Sequence, residues 1–167
     1  FHLVCDASNP EAVALLRARK RREGKAFAVM MADMEAVRAY CEAGEAEEGI
    51  LTATQRPIVL LRKRPDAVFA PGLADALPEL GVMLPYTPLQ HLLLAACADR
   101  GVRALVMTSG NLAGEPIEVD DGAAWERLCA RGVADALLGN DRAILARYDD
   151  SVVRVVRGAP VPVRRAR

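Results

Sequence analysis

VMTSGNLAGEP, residues 106–116, predicts a strand that ends abruptly in a polar turn. The apolar run 104–107 is typical of a short buried strand. The glycines and the proline that follow it prevent both a longer strand and an immediate helix. Two small hydroxyls, a flexible glycine and an amide are therefore expected at the end of a central strand, where open α/β sheets bind ligands. Gly110 would let backbone N–H groups approach an anion closely, so the turn can be an anion-binding site. An ordinary connecting turn without a ligand would have the same composition.

The composition is that of a soluble globular protein of one domain. The 167 residues are 52% hydrophobic and 26% charged, and the formal net charge is zero. A neutral chain has no overall field to attract nucleic acid or a membrane, so any anion must be bound by a local cluster. No apolar run approaches the ~20 residues of a membrane-spanning helix, and no signal peptide is apparent. The first residue is Phe1 rather than Met, so we expect a part of a longer chain.

The cysteines indicate a reducing, cytoplasmic environment. They are far apart and form no C-x-x-C pair, which argues against a zinc site or a disulfide framework. The four are Cys5, Cys41, Cys97 and Cys129.

Strands alternate with helices along the chain, which predicts an α/β domain with a mixed sheet. Helix starts are marked by capping residues at Asn9, Asp33, Thr87 and either Asp120 or Asp121. A long loop with several prolines is expected over 64–79. The predicted helices are 10–21, 34–41, 45–52, 88–98 and 121–131, and the predicted strands are 1–5, 26–31, 58–61, 80–84, 104–107, 136–138, 152–156 and 161–163.

A basic cluster follows the first predicted helix. Cations at the C-terminus of a helix are favoured by its dipole, so the cluster can be an ordinary solvated surface. Alternatively it can cradle phosphates, because lysine and arginine neutralise their charge and arginine adds bidentate geometry. The cluster consists of Arg17, Arg19, Lys20, Arg21, Arg22 and Lys25 around a single acidic residue, Glu23.

A second mixed-charge segment precedes the final hairpin and contains Arg142, Arg147, Asp149, Asp150 and Ser151. Asp149 or Asp150 is a possible partner of a Mg²⁺–phosphate complex, since Mg²⁺ commonly takes one or two carboxylates together with phosphates. A salt-bridged turn is the simpler interpretation of the same residues.

Several common catalytic arrangements are not indicated. His2 and His91 have no serine or cysteine at a recognisable spacing, so a hydrolase triad is unsupported. The sequence has neither GxxxxGK[ST] nor GxGxxG, so a nucleotide would have to be held by a different cradle.

Four motifs in order resemble the YrdC-like domain family, and more closely the YrdC-like domain of the HypF family of hydrogenase maturation carbamoyltransferases. They are KRR and KAFAVM at 20–22 and 25–30, LPYTPL at 84–89, TSGNL at 108–112 and DDSVVR at 149–154. The resemblance covers essentially the whole chain. It implies a YrdC-like α/β fold, with a twisted open mixed sheet flanked by helices and a concave basic face. It also implies one domain over 1–167, taken from a longer multidomain chain and lacking the strand that normally precedes Phe1.

The HypF resemblance implies a chemistry. Carbamate, made from carbamoyl phosphate in an upstream acylphosphatase domain, would be adenylated with ATP and Mg²⁺, and pyrophosphate would be released. A downstream transferase domain would pass the carbamoyl group to the C-terminal cysteine of HypE during [NiFe]-hydrogenase maturation. A zinc-finger domain is also expected upstream in the full-length chain.

Residue by residue, the family's K-x-R element falls on Lys20 and Arg22, which would stabilise the phosphates during catalysis. Its S-x-N element falls on Ser109 and Asn111. The resemblance further implies nucleotide or phosphate contacts from Lys25, Arg142, Arg147 and Ser151. Departures from the family pattern occur at Glu23, Ala26 and Ala113.

The sequence leaves two other functions open. The threonylcarbamoyl-adenylate synthases of tRNA modification usually carry an arginine that can pair the threonine carboxylate, at the position of Met83. Methionine is neutral and cannot pair a carboxylate, which favours a substrate without an amino acid. A double-stranded RNA-binding module could use the basic segments 17–25 and 154–167, but the 4% aromatic content makes base stacking unlikely.

Overall fold

A computed structural model describes residues 1–22 and 24–166 of the chain. Glu23, one of the departures from the family pattern, and Arg167, the last residue of the second basic segment, lie outside the described residues.

The described residues form the strands β1 His2–Asp6, β2 Ala28–Met31, β3 Cys41–Glu42, β4 Ile58–Lys63, β5 Glu79–Met83, β6 Ala104–Ser109, β7 Val152–Val156 and β8 Ala159–Arg164. These eight strands make one mixed sheet in the order β1-β6-β2-β5-β4-β7-β8, with β3 paired to β4. β2 and β5 are parallel, as are β4 and β7, and the other neighbours are antiparallel. The predicted mixed sheet is therefore confirmed.

Side-chain caps start most of the helices, as the sequence predicts. Asn9 Oδ1 accepts from the N–H groups of Glu11 and Ala12, and Asp33 and Asp120 cap their helices in the same way. Thr87 forms a capping box with Gln90, and Pro88 occupies the first helical turn. The helices are α1 Pro10–Arg19, α2 Met34–Tyr40, α3 Glu45–Thr52, α4 Pro88–Ala98 and α5 Asp121–Ala124, the last continuing into a π-helical segment, Trp125–Cys129.

The core lies on both faces of the sheet, because alternate strand residues point to opposite sides. On one face, Val29, Val59, Val82 and Val106 pack under α1, α2, α3 and the α5 region. On the other face, side chains of α4 pack with a smaller cluster: Met30, Ile58, Met83, Leu94, Leu105 and Met107. Both faces of the sheet are thus covered at its central strands, whereas β8 is exposed, and the ends of the strands are left to build a site.

The structure corrects several details of the prediction. No strand forms at 136–138, a short apolar stretch within a long irregular segment. β6 is the second strand from the sheet edge rather than a central one, and both its neighbours are antiparallel. The helix predicted over 121–131 changes to π-helix at Trp125, and the two-residue strand β3 is too short to give a pattern.

None of the helices within the described residues is long and apolar enough to cross a membrane.

Candidate functional site

The C-terminus of α1 places Lys20 and Arg22. The backbone N–H of Arg21 donates to Ala18 O, and that of Arg22 donates to Arg17 O, both at 3.1 Å. This is the Schellman arrangement, in which the first residue beyond the cap is left-handed. Arg21 takes that position with φ 50°, although it is not glycine. The chain therefore turns sharply after Lys20 and brings residues 20 and 22 to the same end of the helix.

The Lys20 ammonium lies in a nest of oxygens from the end of β6. Its Nζ donates to Asn111 O and to Asn111 Oδ1, each at 2.9 Å, and also to Ser109 O. The Ser109 hydroxyl is 3.4 Å from Nζ and donates to Asn111 Oδ1 at 2.8 Å. The structure thus brings together three of the residues expected from the sequence, namely Lys20, Ser109 and Asn111.

The turn after β6 is built around Gly110. Its N–H donates to Phe1 O at 2.8 Å, and a Cβ at this position would lie 2.8 Å from Phe1 backbone atoms. The turn closes through Glu118 N–H, which donates to Gly110 O at 2.9 Å. Gly110 therefore serves close backbone packing against β1, which differs from the anion approach predicted for it. Thr108, the other small hydroxyl, is buried in the sheet, and Asn111 Nδ2 is held by Glu115 O at 2.6 Å.

Lys20 is only 3% exposed, and in the described part of the chain no carboxylate forms a salt bridge with it. Burial lowers the pKa of the Lys20 ammonium from 10.5 to about 8, and the nearby charge of Arg22 adds to the effect. Asp149 opposes it by raising the pKa. A buried cation that meets only neutral oxygens is electrostatically suited to an anionic ligand.

Arg22 lies beside Lys20 and is held by its own loop. Its Nη2 donates to Ala26 O at 2.8 Å, and its guanidinium carbon is 5.2 Å from the centre of the buried Phe27 ring. Burial lowers the pKa of Arg22, with further contributions from Arg17 and Arg164. Arg164, from β8, therefore adds positive charge to this region; the sequence indicated it only as part of the basic segment 154–167.

The late segment reaches the site only in part. Arg147 Nε donates to Ile117 O at 2.8 Å, and so contacts the loop that follows Asn111. Ser151 Oγ instead accepts from Ala166 N–H at 2.9 Å. Lys25 and Arg142 are exposed, and in the described structure neither side chain hydrogen-bonds to Lys20, Ser109 or Asn111. Their contacts with a nucleotide stay predictions, as do those of the other site residues.

Asp150 joins three separate segments. Its Oδ2 is 3.6 Å from His2 Nε2, its Oδ1 is 3.4 Å from the Tyr86 hydroxyl, and its backbone oxygen accepts from Arg164 Nη2 at 2.7 Å. Burial, with Asp150 nearby, raises the pKa of Tyr86 to about 12. The sequence predicted none of these three partners of Asp150, because they lie in separate parts of the chain.

Two open cavities lie away from this cluster, at the β3–β4 side of the sheet. The larger measures about 620 Å³ and is lined by Arg38, Cys41, Glu42, Arg62 and Glu79 among others. The second, about 580 Å³, is lined by residues of 62–65 and 75–78. Neither includes a residue of the predicted site.

Comparison with known proteins identifies the family. A family model described as "Telomere recombination", which represents the Sua5, YciO and YrdC proteins, matches residues 1–166. The chain belongs to the Sua5/YciO/YrdC family.

Within that family, this YrdC-like domain is similar to part of the HypF proteins. It is 51% identical over 183 residues to the carbamoyltransferase HypF2 of Cupriavidus necator. The alignment covers 100% of this chain and 22% of that protein. A crystal structure of full-length HypF in a phosphate- and nucleotide-bound form is 48% identical, with a TM-score of 0.91 over 100% of this chain and 21% of that one. The chain thus spans about a fifth of the length of these relatives. The resemblance to the YrdC-like domain of HypF is confirmed.

A more distant structure shows the fold alone. The P. abyssi Sua5 complexed with L-threonine is 16% identical, with a TM-score of 0.79 over 99% of this chain and 47% of that one. The predicted YrdC-like fold, an open twisted mixed sheet flanked by helices, is therefore confirmed; the concave basic face stays a prediction.

Proposed function

We propose that this YrdC-like domain binds Mg-ATP at the cluster of Lys20, Arg22, Ser109 and Asn111 and makes carbamoyl-adenylate from carbamate. The domain would work in the cytoplasm, within a longer carbamoyltransferase whose upstream acylphosphatase domain supplies carbamate from carbamoyl phosphate. The carbamoyl group would then pass, through a downstream transferase domain, to the C-terminal cysteine of HypE in [NiFe]-hydrogenase maturation.

The observation that carries this proposal is the buried ammonium of Lys20. Its Nζ is ringed by oxygens of Ser109 and Asn111, and no carboxylate neutralises it among the described residues. Arg22 and Arg164 add further positive charge nearby. Fixed positive groups stabilise developing negative charge most strongly where water is excluded. Negative charge of this kind develops on the phosphate oxygens during phosphoryl transfer.

The reaction balances without a protein base. A carbamate oxygen attacks the α-phosphorus, the bond between the α-phosphorus and the bridging oxygen breaks, and pyrophosphate leaves with its electron pair. Lys20 and Arg22 would stabilise the phosphate charge, while the Ser109 hydroxyl and the Asn111 amide would orient the phosphate or the carbamoyl group. No general base is needed because carbamate is already an anion. Exclusion of water would also protect carbamate, which decomposes readily.

The residues present fit a Mg²⁺ ion that is coordinated mainly by the phosphates of the nucleotide. The described residues contain no group of three or more His, Cys, Asp or Glu side chains arranged to hold a metal ion. Mg²⁺ needs only one or two carboxylates when phosphates supply the remaining oxygens. Asp149, which is exposed and close enough to affect Lys20, is the better candidate, because Asp150 already contacts His2 and Tyr86. When bound, the ion would neutralise phosphate charge.

Lys20→Met tests the proposal. The substitution keeps the length of the side chain and removes the charge that the proposal assigns to phosphate binding. We expect Mg-ATP affinity, measured calorimetrically, and carbamate-dependent ATP–pyrophosphate exchange to fall at least about tenfold, since loss of one preorganised donor commonly costs this much or more. Arg19→Met is the matched control, because Arg19 is also a cation of the last turn of α1 but pairs with the exposed Asp135 at 2.8 Å.

Two results would contradict the proposal. One is a parent protein that neither binds Mg-ATP nor exchanges pyrophosphate when carbamate is supplied. The other is a Lys20→Met variant that matches the parent while Arg19→Met also does. Pyrophosphate release that depends on threonine and bicarbonate instead of carbamate would assign the domain to the tRNA-modifying branch. Met83 argues against that branch, since it is 1% exposed and packs among Met30, Leu94 and Met107.

A further inference from the structure

The guanidinium of Arg17 is fixed at the centre of the loop that carries Arg22. Its Nη1 donates to Arg22 O at 2.6 Å and to Lys25 O at 3.0 Å. Its Nε donates to Gly72 O at 3.1 Å, and its Nη2 donates to the same oxygen. The guanidinium carbon also lies 4.6 Å from the centre of the Phe27 ring.

These contacts join three separate parts of the chain. Gly72 belongs to the long loop between β4 and β5, where it has φ 90° and its N–H donates to both carboxylate oxygens of Asp75. Phe27 is 1% exposed, and its N–H donates to Leu73 O at 2.9 Å. The long loop contributes none of the predicted site residues, but it contacts the loop that carries Arg22. Arg17 is the side chain that connects the two loops.

Among the described residues, the side-chain hydrogen bonds of Arg17 all go to loop carbonyl oxygens, and none goes to the oxygens that surround Lys20. An arginine carries five N–H donors, and four are already used on the carbonyl oxygens of Arg22, Lys25 and Gly72. The sequence alone placed Arg17 among the possible phosphate cations. In the structure the Lys20 ammonium contacts oxygens of Ser109 and Asn111, whereas Arg17 contacts none of them. Arg17 lies close to Arg22, and both guanidinium groups lie over the Phe27 ring.

We infer that Arg17 is a positioning residue, and this inference rests on the proposed function. It holds the loop that carries Arg22 and Lys25, the Arg22 loop, against the cluster of Lys20, Ser109 and Asn111, the phosphate cradle. It acts through the backbone of Arg22 and Lys25 and not by contact with the nucleotide. A planar fork suits this role, because one rigid group reaches three carbonyl oxygens at once. An ammonium, a compact point donor, can replace only part of it.

Amide hydrogen exchange on the nucleotide-free protein tests the positioning role by itself. Arg17→Met keeps the aliphatic stem, Arg17→Lys keeps the charge, and Arg19→Met is the control. We expect the amides of Arg22 and Phe27 to exchange at least about tenfold faster in Arg17→Met, because charged hydrogen bonds to the loop are lost. The acceleration should be partly rescued in Arg17→Lys, absent in Arg19→Met, and absent from the amides of α4 in every variant.

Mg-ATP titration then tests the link to the site. Arg17→Met should bind at least about tenfold more weakly than the parent, Arg17→Lys should lie between them, and Arg19→Met should match the parent. Unchanged exchange in a folded Arg17→Met protein would overturn the positioning role. If that variant does not fold, an Arg17→Lys protein with parental exchange would overturn it equally. Faster exchange with parental affinity would overturn the link to the cradle.

The two proposals can fail separately. If the parent does not bind Mg-ATP, the proposed function fails, and the exchange data still decide whether Arg17 fixes the loop.

Discussion

At the scale of single residues, Lys20 is the least expected feature. A buried ammonium normally has a carboxylate partner, because desolvation of an unpaired charge is costly. Here the partners are carbonyl, amide and hydroxyl oxygens of Ser109 and Asn111. Its pKa of about 8 means that the ammonium is only partly protonated in mildly alkaline solution. Folding tolerates this charge, and an anionic ligand would stabilise it.

The lowered pKa of Lys20 predicts a pH dependence of nucleotide binding. A phosphate close to Nζ favours the charged form and raises the pKa, so binding above pH 8 takes up a proton. Affinity for Mg-ATP should therefore be highest below about pH 8 and fall by up to tenfold per pH unit above it, until the pKa of the bound state is reached. Titrations at several pH values measure this slope, and buffers of different ionisation enthalpy measure the proton uptake.

The Lys20→Met variant is the control for that experiment, since it retains every other titrating group. Its residual affinity should lack the alkaline decline. A parent whose affinity stays constant between pH 7 and 10, about one unit below and two units above the pKa of Lys20, would contradict the assignment. The ligand-free protein should show the complementary effect. Between about pH 8 and 10.5 the unfolded chain binds more protons at Lys20 than the native one, so stability should rise with pH there.

At the scale of elements, α4 covers the second face of the sheet in the described structure. Leu94 is 3% exposed and packs against Met83 and Met107, whereas Leu92, on the same helix, is 69% exposed. Leu94→Ala should lower the free energy of unfolding by about 2–5 kcal/mol, because the helix cannot collapse into the cavity completely. Urea denaturation followed by circular dichroism measures the change.

Leu92→Ala removes the same atoms from a solvated position of the same helix. Its free energy of unfolding should stay within about 0.5 kcal/mol of the parent value. Equal losses in the two variants would show that α4 is weakly docked and that the second apolar cluster contributes little.

The elements were largely predictable because their signals are local. A cap such as Asn9 or Thr87 acts within its own first turn, so the sequence marks where α1 and α4 begin. The hairpin was also predictable, since Gly158 separates two apolar runs. In the structure Arg157 and Gly158 form the two-residue turn, and both have positive φ. The order of strands was not predictable, because the residues that pair with β6 lie about 70 to 110 positions away in the chain. The segment 136–138 was wrongly predicted as a strand, because an apolar run forms a strand only where an adjacent strand is available to hydrogen-bond with it.

At the scale of the whole molecule, the candidate site depends on long-range closure. The motif resemblance indicated Lys20, Ser109 and Asn111, but nothing in the sequence showed that the ammonium points at those two side chains. The role of Arg17 and the contacts of Asp150 could not be predicted either, because their partners come from distant parts of the chain. Arg17 looked like one cation among six, and its carbonyl partners include Gly72, which is 55 residues away.

Because the site joins distant segments, binding should be linked to global unfolding. A ligand that binds only the native state stabilises it by about 2.7 kcal/mol at a concentration of 100 times the dissociation constant. We expect the thermal midpoint to rise with Mg-ATP concentration in the parent and to change far less in Lys20→Met. A parent midpoint that is independent of Mg-ATP would indicate that the native fold gains nothing from the ligand.

The position of β6 has a consequence for the newly made chain on the ribosome. β1 pairs only with β6 in the described sheet, and β2 pairs with β5 and β6. β1 therefore emerges about 100 residues before its partner β6, and β2 emerges about 50 residues before β5, so each stays unpaired while the intervening chain is made. The 91 residues from Lys20 to Asn111 take roughly 5–18 s at ordinary rates of synthesis. During that interval the nascent chain exposes strand-forming sequence that chaperones can shield, and it cannot yet capture a nucleotide at the proposed cradle.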